Sequence, residues 1–390
     1  MDQPRRFSGL PEYAFPRLRA LLSGVAPGGP EIAMSIGEPQ HAVPPIVSEV
    51  IAAEGAAFNR YPPNEGLLSL RSAIAGWLSR RYGGDRDPET EILPLNGTRE
   101  GLFNAALALC PEEKNGAQPA VLIPNPFYQC YAAAALAAGA EPVFVNATEE
   151  TGFLPDFAAL DPTLLDRTAI VYMCSPSNPQ GAVADLAYWR RLAALAERHD
   201  FRIFADECYA EIWRTAPPPG VLQAVDDPER VVAFHSLSKR SNLAGLRSGF
   251  AVSGPRSIAA MRQLRNYAGA PLPVPLQHAA AAVWSDEAHV EANRALYRAK
   301  FDLADRILGN VPGYVSPEAG FFLWIRSGNG EEMSRRLWAE AGVRVLPGAY
   351  LARQVGGRNP GDVYIRAALV APEAEVAAGL TALRTVLEAA

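Results

Sequence analysis

The stretch SLSKRSNLAGLRSGF (236–250) sets Lys239 three residues after Ser236 and eight before Arg247. A lysine kept out of water loses part of its proton affinity, and the free amine can attack a carbonyl to form an imine. An arginine nearby can grip a phosphate. The plain alternative is a surface loop, with Arg240 as one more solvated cation. Four other segments carry groups of comparable interest. LNGTREG puts Gly97, Thr98 and Arg99 at the start of a predicted helix. There the free N–H groups suit an anion, or the threonine is merely a cap. IPNPFYQCY presents Tyr128 behind a proline turn, either to stack on a flat ligand or to anchor the next helix. Asn178, in CSPSNPQG, is an Asx-turn residue or an amide donor. FADECY places Asp206 and Tyr209 at the end of a strand, where a carboxylate needs a partner. A protonated ring nitrogen would serve, as would a neighbouring arginine.

All five segments follow short apolar runs, so the runs must do the positioning. These are ILPL (92–95), AVLIP (120–124), PVFVN (142–146), AIVYMC (169–174), FRIFAD (201–206), VVAF (231–234) and GFAVSG (249–254). Helical patterns over 67–83, 99–110, 128–139 and 185–200 separate them. Strands alternating with helices predict an α/β fold with crossover helices, a mostly parallel seven-stranded sheet, and ligand groups at the strands' carboxyl ends. Four runs are nearly unbroken hydrophobics, as strands covered on both faces require. After residue 285 the pattern changes to a long helix, GFFLWIRS, a helix near EEMSRRLWAEAG, the strand VYIRAALV and a final helix. The expected division is therefore a large unit over 46–284 and a smaller α+β unit over 285–390. Segment 1–45, rich in proline and glycine, is expected to pack on the smaller one.

Bulk properties narrow the function. The 390 residues carry a net charge of −6, with 49% hydrophobic and 20% charged residues. This is a globular chain without the basic surface that nucleic acid or an anionic membrane demands. No apolar run is long enough for a membrane span, and MDQPRRFSGLPEYAF lacks the apolar core of a signal peptide. Cys110, Cys130, Cys174 and Cys208 show no metal or disulfide spacing, so reduced thiols, no metal and a cytoplasmic location are expected.

Each segment alone has a plain reading. Their conjunction at successive strand ends describes a pyridoxal 5′-phosphate pocket: an anion cradle, a stacking aromatic, an amide donor, a buried acid with a tyrosine, and a lysine.

The order of these motifs resembles the class I/II, fold-type I, pyridoxal-phosphate aminotransferases from about residue 30 to the end. SxxK followed by Arg247, SNPQG, ADECY and YIRAA all match. SIGEPQH, PNPFYQCY and SLSKRSNLAGLRSGF resemble more narrowly the succinyldiaminopimelate transaminases of lysine biosynthesis. The resemblance implies that Lys239 forms the imine and then moves the α-proton. It implies that Asp206 pairs with the ring nitrogen, that Asn178 and Tyr209 bond the phenolic oxygen, and that Tyr128 stacks on the ring. Gly97, Thr98, Arg99, Ser236 and Arg247 would hold the phosphate. Tyr61, in NRYPPNEG, would reach the phosphate of a neighbouring subunit, implying a homodimer with shared active sites. Arg366 would clamp the substrate α-carboxylate, and Gly37 would line the substrate site. The implied reaction takes N-succinyl-LL-2,6-diaminopimelate and 2-oxoglutarate to N-succinyl-2-amino-6-oxopimelate and glutamate. Such a substrate calls for extra cations, and Arg240, Arg262 and Arg265 are available. The alternatives are another aminotransferase, acting on aspartate, alanine, aromatic amino acids or LL-diaminopimelate, or a pyridoxal-phosphate C–S β-lyase.

Overall fold

The computed structural model describes residue 7, residue 10 and residues 12–389. The parts of segment 1–45 at residues 1–6, 8, 9 and 11 lie outside the described residues. The chain opens with helix α1 (Ala14–Leu22), the two-residue strand β1 (Ile32–Ala33), α2 (Ile46–Ala53) and α3 (Leu68–Tyr82). The strands of the main sheet follow: β2 (Ile92–Leu95), β3 (Ala120–Asn125), β4 (Glu141–Asn146), β5 (Thr168–Cys174), β6 (Arg202–Asp206), β7 (Val231–Ser236) and β8 (Gly249–Val252). The helices among them are α4 (Thr98–Leu109), α5 (Cys130–Ala137), α6 (Pro162–Asp166), α7 (Leu186–His199) and α8 (Leu237–Arg240). All seven apolar runs of the sequence are strands of this one sheet.

Its order is β2-β8-β7-β6-β5-β3-β4. Neighbours run parallel from β7 to β4, while β8 is antiparallel to both β2 and β7. Strands β2, β3, β5, β7 and β8 are buried at every position, so side chains on both faces must be apolar and no alternation appears. Helix α7 shows how the crossovers form. Asp185 caps it by accepting from the Tyr188 N–H at 2.6 Å, and Trp189, Leu192 and Ala196 turn inward at helical spacing. One apolar cluster lies on each face of the sheet.

The remaining helices are α9 (Pro255–Ala268), α10 (Val274–Ser285), α11 (Ala288–Leu308), α12 (Gly330–Ala341) and α13 (Glu373–Glu388). Strands β9 (Phe322–Arg326), β11 (Leu346–Pro347) and β12 (Tyr364–Ala368) form an antiparallel sheet, with β12 in the middle. Strand β10 (Val343–Arg344) pairs in parallel with β1. Through that pairing, and through α1 packing on Trp338, Leu346 and Tyr350, the described part of the N-terminal segment lies on these C-terminal elements. Among the described residues no helix is long and apolar enough to cross a membrane.

Candidate active site

Register brings the carboxyl ends of three strands level: Cys174 of β5 faces Asp206 of β6, which faces Phe234 of β7. A cleft of about 380 Å³ opens above them, a size suited to a small ligand. Gly37, Thr98, Arg99, Tyr128, Asn178, Asp206, Tyr209, Ser236, Lys239, Arg247 and Arg366 line it, so nearly every expected residue is brought together.

Lys239 is the third residue of α8. Ser236 caps that short helix by accepting from the Ser238 N–H at 3.0 Å. The Lys239 amine donates to the Gly37 carbonyl at 2.6 Å and sits 5.4 Å from the Phe321 ring. Burial, with a contribution from Arg366, holds the amine down to about 8 despite the opposing pull of Cys208 and Glu38. The chain has two other lysines, Lys114 and Lys300. Lys114 is spent on the carbonyls of His199 (2.6 Å) and Asp200 (2.7 Å), and Lys300 lies against His41. Neither lines the cleft.

Asp206 is 6% exposed. It accepts from the Tyr131 hydroxyl at 2.7 Å and from the Cys208 N–H at 3.3 Å. Tyr131 is clamped in turn by stacking on Tyr172, 4.5 Å away at 11°. Tyr128 meets Tyr131 edge-on at 5.6 Å and takes a hydrogen bond from the Arg99 Nε. Burial pushes the Tyr128 hydroxyl up to about 12. Tyr209 packs edge-on against Phe321, and burial raises its hydroxyl well above the usual tyrosine range.

The anion-holding end is built from the turn before α4 and from Arg247. Gly97 has φ +78°, and a Cβ built there would run into the Arg247 guanidinium. Glycine is thus needed both for the backbone and for the approach. Arg247 donates to the carbonyls of Ala244 (2.8 Å) and Asn96 (3.3 Å). The Thr98 hydroxyl lies 3.1 Å from Cys208 Sγ.

Opposite stands Arg366, on β12. One Nη donates to Asn178 Oδ1 at 3.0 Å, the other to the Ser35 carbonyl at 2.8 Å. Its guanidinium lies 4.2 Å over the Phe322 ring, and its Nε has no partner among the described residues. Burial lowers it to about 10, which leaves it charged at neutral pH.

Some expectations land elsewhere. Arg240, Arg262 and Arg265 do not line the cleft. Arg240 is 2% exposed and bonded to the Val283 carbonyl (3.1 Å) and Glu287 (2.8 Å). Arg262 donates to the Glu89 carbonyl at 2.7 Å, and Arg265 to the Pro94 carbonyl. Tyr61 is fully exposed and outside its own chain's cleft. The lining also includes groups that the sequence reading did not assign to the site: Tyr131, Cys208, Glu38, Phe322, and Tyr13 and Phe15 at the start of α1. Only Tyr131 left a trace, by following Tyr128 at a helical three-residue spacing. Among the described residues no group of three or more metal-ligating side chains could hold a metal ion, and all four cysteines are unpaired.

The chain matches the family described as aminotransferase class I and II over residues 30–377. It belongs to that family. A curated relative at 33% identity, LL-diaminopimelate aminotransferase of Dehalococcoides mccartyi, aligns over 98% of each chain. Among solved structures, an aminotransferase from Neisseria meningitidis is 37% identical with a TM-score of 0.94, covering 99% of this chain and 100% of its own. A probable N-succinyldiaminopimelate aminotransferase from Thermus thermophilus is 26% identical with a TM-score of 0.85, covering 96% and 100%. This class I and II aminotransferase has the fold-type I architecture, and its cofactor is pyridoxal 5′-phosphate. The residues present fit that group: a cationic, glycine-lined end, a buried carboxylate, and an amine lowered to about 8.

Proposed function

We propose that this aminotransferase moves an amino group from a diaminopimelate to 2-oxoglutarate, with LL-diaminopimelate itself as the donor. The observation that carries this reading is the charge inventory of the cleft. Among the described residues its cations are Arg99, Lys239, Arg247 and Arg366, and Glu38 stands among the lining residues. With Lys239 and Arg247 on the cofactor and Arg366 on the α-carboxylate, two groups are left for the far end of the substrate: Glu38, and Arg99, which was expected on the phosphate but donates to the Tyr128 hydroxyl. One cation and one anion complement a far end bearing one carboxylate and one ammonium. A succinylated far end bears two carboxylates and no ammonium, and the three arginines that were available for it lie elsewhere. The D. mccartyi relative supports the same choice. The second reading is the N-succinyl donor, favoured by likeness to the T. thermophilus structure.

The bound cofactor supplies the electron sink that lets the substrate lose its α-proton. In this proposal Arg247, Ser236, Thr98 and the Gly97 turn hold its phosphate. Asp206, braced by Tyr131, keeps the ring nitrogen protonated. Asn178 and Tyr209 face the phenolic oxygen, and Tyr128 covers the ring. Arg366 orients the substrate through a bidentate grip on its α-carboxylate, a geometry lysine lacks. The Lys239 amine, neutral in good part near pH 8, would take the substrate's α-proton as general base and then, as general acid, hand it on away from the α-carbon. Phe58, Tyr61 and Leu68 are all exposed on one short segment. Such a patch supports a homodimer in which Tyr61 reaches the partner's site.

The test is glutamate formation from 2-oxoglutarate with a panel of donors. The reading expects LL-diaminopimelate to be the best, with the succinylated form slower. Brisk turnover of aspartate or alanine with neither diaminopimelate accepted would reject the substrate. Ammonia and pyruvate released without a keto-acid acceptor would point to the lyase.

A further inference from the structure

Outside the cleft, a partly buried polar chain runs from α11 to the backbone that carries Lys239. Lys300 is 2% exposed, and its Nζ lies 2.6 Å from His41 Nε2. His41 Nδ1 is 2.8 Å from Asn293 Oδ1. Asn293 Nδ2 then donates to the carbonyls of Lys239 (3.3 Å) and Arg240 (3.2 Å). Asn242 adds a second donor to Asn293 Oδ1 at 3.1 Å.

The donor and acceptor inventory fixes where the hydrogens lie. The Asn293 amide nitrogen is committed to two carbonyls, so its oxygen must accept. His41 Nδ1 therefore carries a hydrogen. In a neutral imidazole Nε2 then accepts, and Lys300 donates to it. A second proton on His41 would set two cations face to face in a half-buried contact. Burial lowers both groups, Lys300 to about 8 and His41 below its ordinary value; Glu373, on α13, pulls Lys300 the other way. The pair thus holds a single proton in excess of neutrality.

Burying such a pair is costly, and packing alone would be met by apolar side chains. What the chain does reach is Lys239, by three routes. Asn293 holds the lysine's own carbonyl. His41 lies four residues past Gly37 on the same stretch of chain, and the Gly37 carbonyl accepts from the Lys239 amine. The His41 ring also packs on Tyr297 (4.7 Å), which stacks on Phe321 (5.5 Å), the ring beside that amine.

We propose that Asn293, His41 and Lys300 are positioning residues for Lys239, fixing its amine by clamping the backbone beneath it and the Gly37–His41 stretch beside it. The proposal rests on the reading of Lys239 as the cofactor-bearing lysine.

The test uses purified holoenzyme and compares Asn293→Ala, His41→Leu and His41→Gln, with Lys239→Ala as control. Two quantities are read: the single-turnover rate constant and KM with glutamate, and the pH midpoint of the cofactor's visible band. Displacing a reacting group slightly can cost about 100-fold in rate, so Asn293→Ala and His41→Leu should lose about 10-fold to 100-fold in the rate constant with little change in KM. Their band midpoint should move by about half a pH unit or more, as a change in the amine's surroundings requires. His41→Gln should restore most of the loss, because glutamine can both donate to Asn293 and accept from Lys300. If Asn293→Ala fails to fold, the two His41 variants decide. Unchanged rate and midpoint in His41→Leu, or equal losses in the leucine and glutamine variants, would overturn the relay while a lost band in Lys239→Ala upholds the lysine. A band that survives in Lys239→Ala would overturn both.

Discussion

Tyr131 donates its hydroxyl to Asp206 Oδ2 across 2.7 Å, and both side chains are buried at the floor of the cleft. A buried carboxylate stripped of a donor carries an unmet desolvation cost of about 1–3 kcal/mol. Tyr131→Phe should therefore lower the thermal stability of the holoenzyme and slow turnover by about tenfold, the equivalent of about 1.4 kcal/mol. Calorimetry and steady-state rates check this. Full turnover in a stable variant would show that Asp206 needs no brace.

Arg366 spans two sheets, reaching Asn178 beyond β5 and Ser35 beyond β1. Lysine could keep the charge but not the planar two-pronged grip. Arg366→Lys is expected to cut kcat/KM for the amino donor by about 100-fold, the scale of a lost charge-assisted hydrogen bond with its orientation. The cofactor's visible spectrum should stay as it was. A spectral change of the same size as the kinetic one would move Arg366 from substrate to cofactor.

At Gly97 the backbone itself limits the residue. Alanine at φ +78° would be strained by about 1–3 kcal/mol and would push the Arg247 guanidinium aside. Gly97→Ala should raise the dissociation constant for the cofactor by about tenfold or more, since each factor of ten needs only about 1.4 kcal/mol. Equilibrium dialysis measures it. Retained affinity would place the phosphate elsewhere.

The Lys239 amine sits near 8 and not near its ordinary 10.5 because it is buried. Only the neutral amine attacks an aldehyde. Cofactor capture by the apo-protein should therefore rise with pH and level off just above 8, the sign expected for a lysine whose proton affinity burial has lowered. A rate still climbing toward 10.5 would mean the amine is solvated.

What the sequence made legible follows from local physics. Doubly covered strands must be apolar throughout, so AIVYMC and VVAF are visible as strands, and α7 shows its inward face at helical spacing. Strand order is not written locally, and nothing in GFAVSG says that β8 runs against its neighbours. The two-residue strands β1, β10 and β11 are too short to show a period. That Lys239, Asp206, Asn178 and Arg366 come together at one cleft was legible because each follows or lies within a recognisable run. Arg240 misled because adjacency in sequence is not adjacency in space: one residue on along a helix turns the side chain by about 100°. It points instead to Glu287 and the ring of Trp284. Tyr131 and His41 act through partners distant in sequence, which no single segment displays.

The most direct measurement exploits the chain's three lysines, Lys114, Lys239 and Lys300. Reducing the holoenzyme with borohydride fixes the cofactor to whichever amine holds it, and peptide mass spectrometry then reads the position. The expected result is the cofactor's mass on the peptide containing Lys239 and on no other. Finding it on Lys114 or Lys300, or on no peptide at all, would contradict the account.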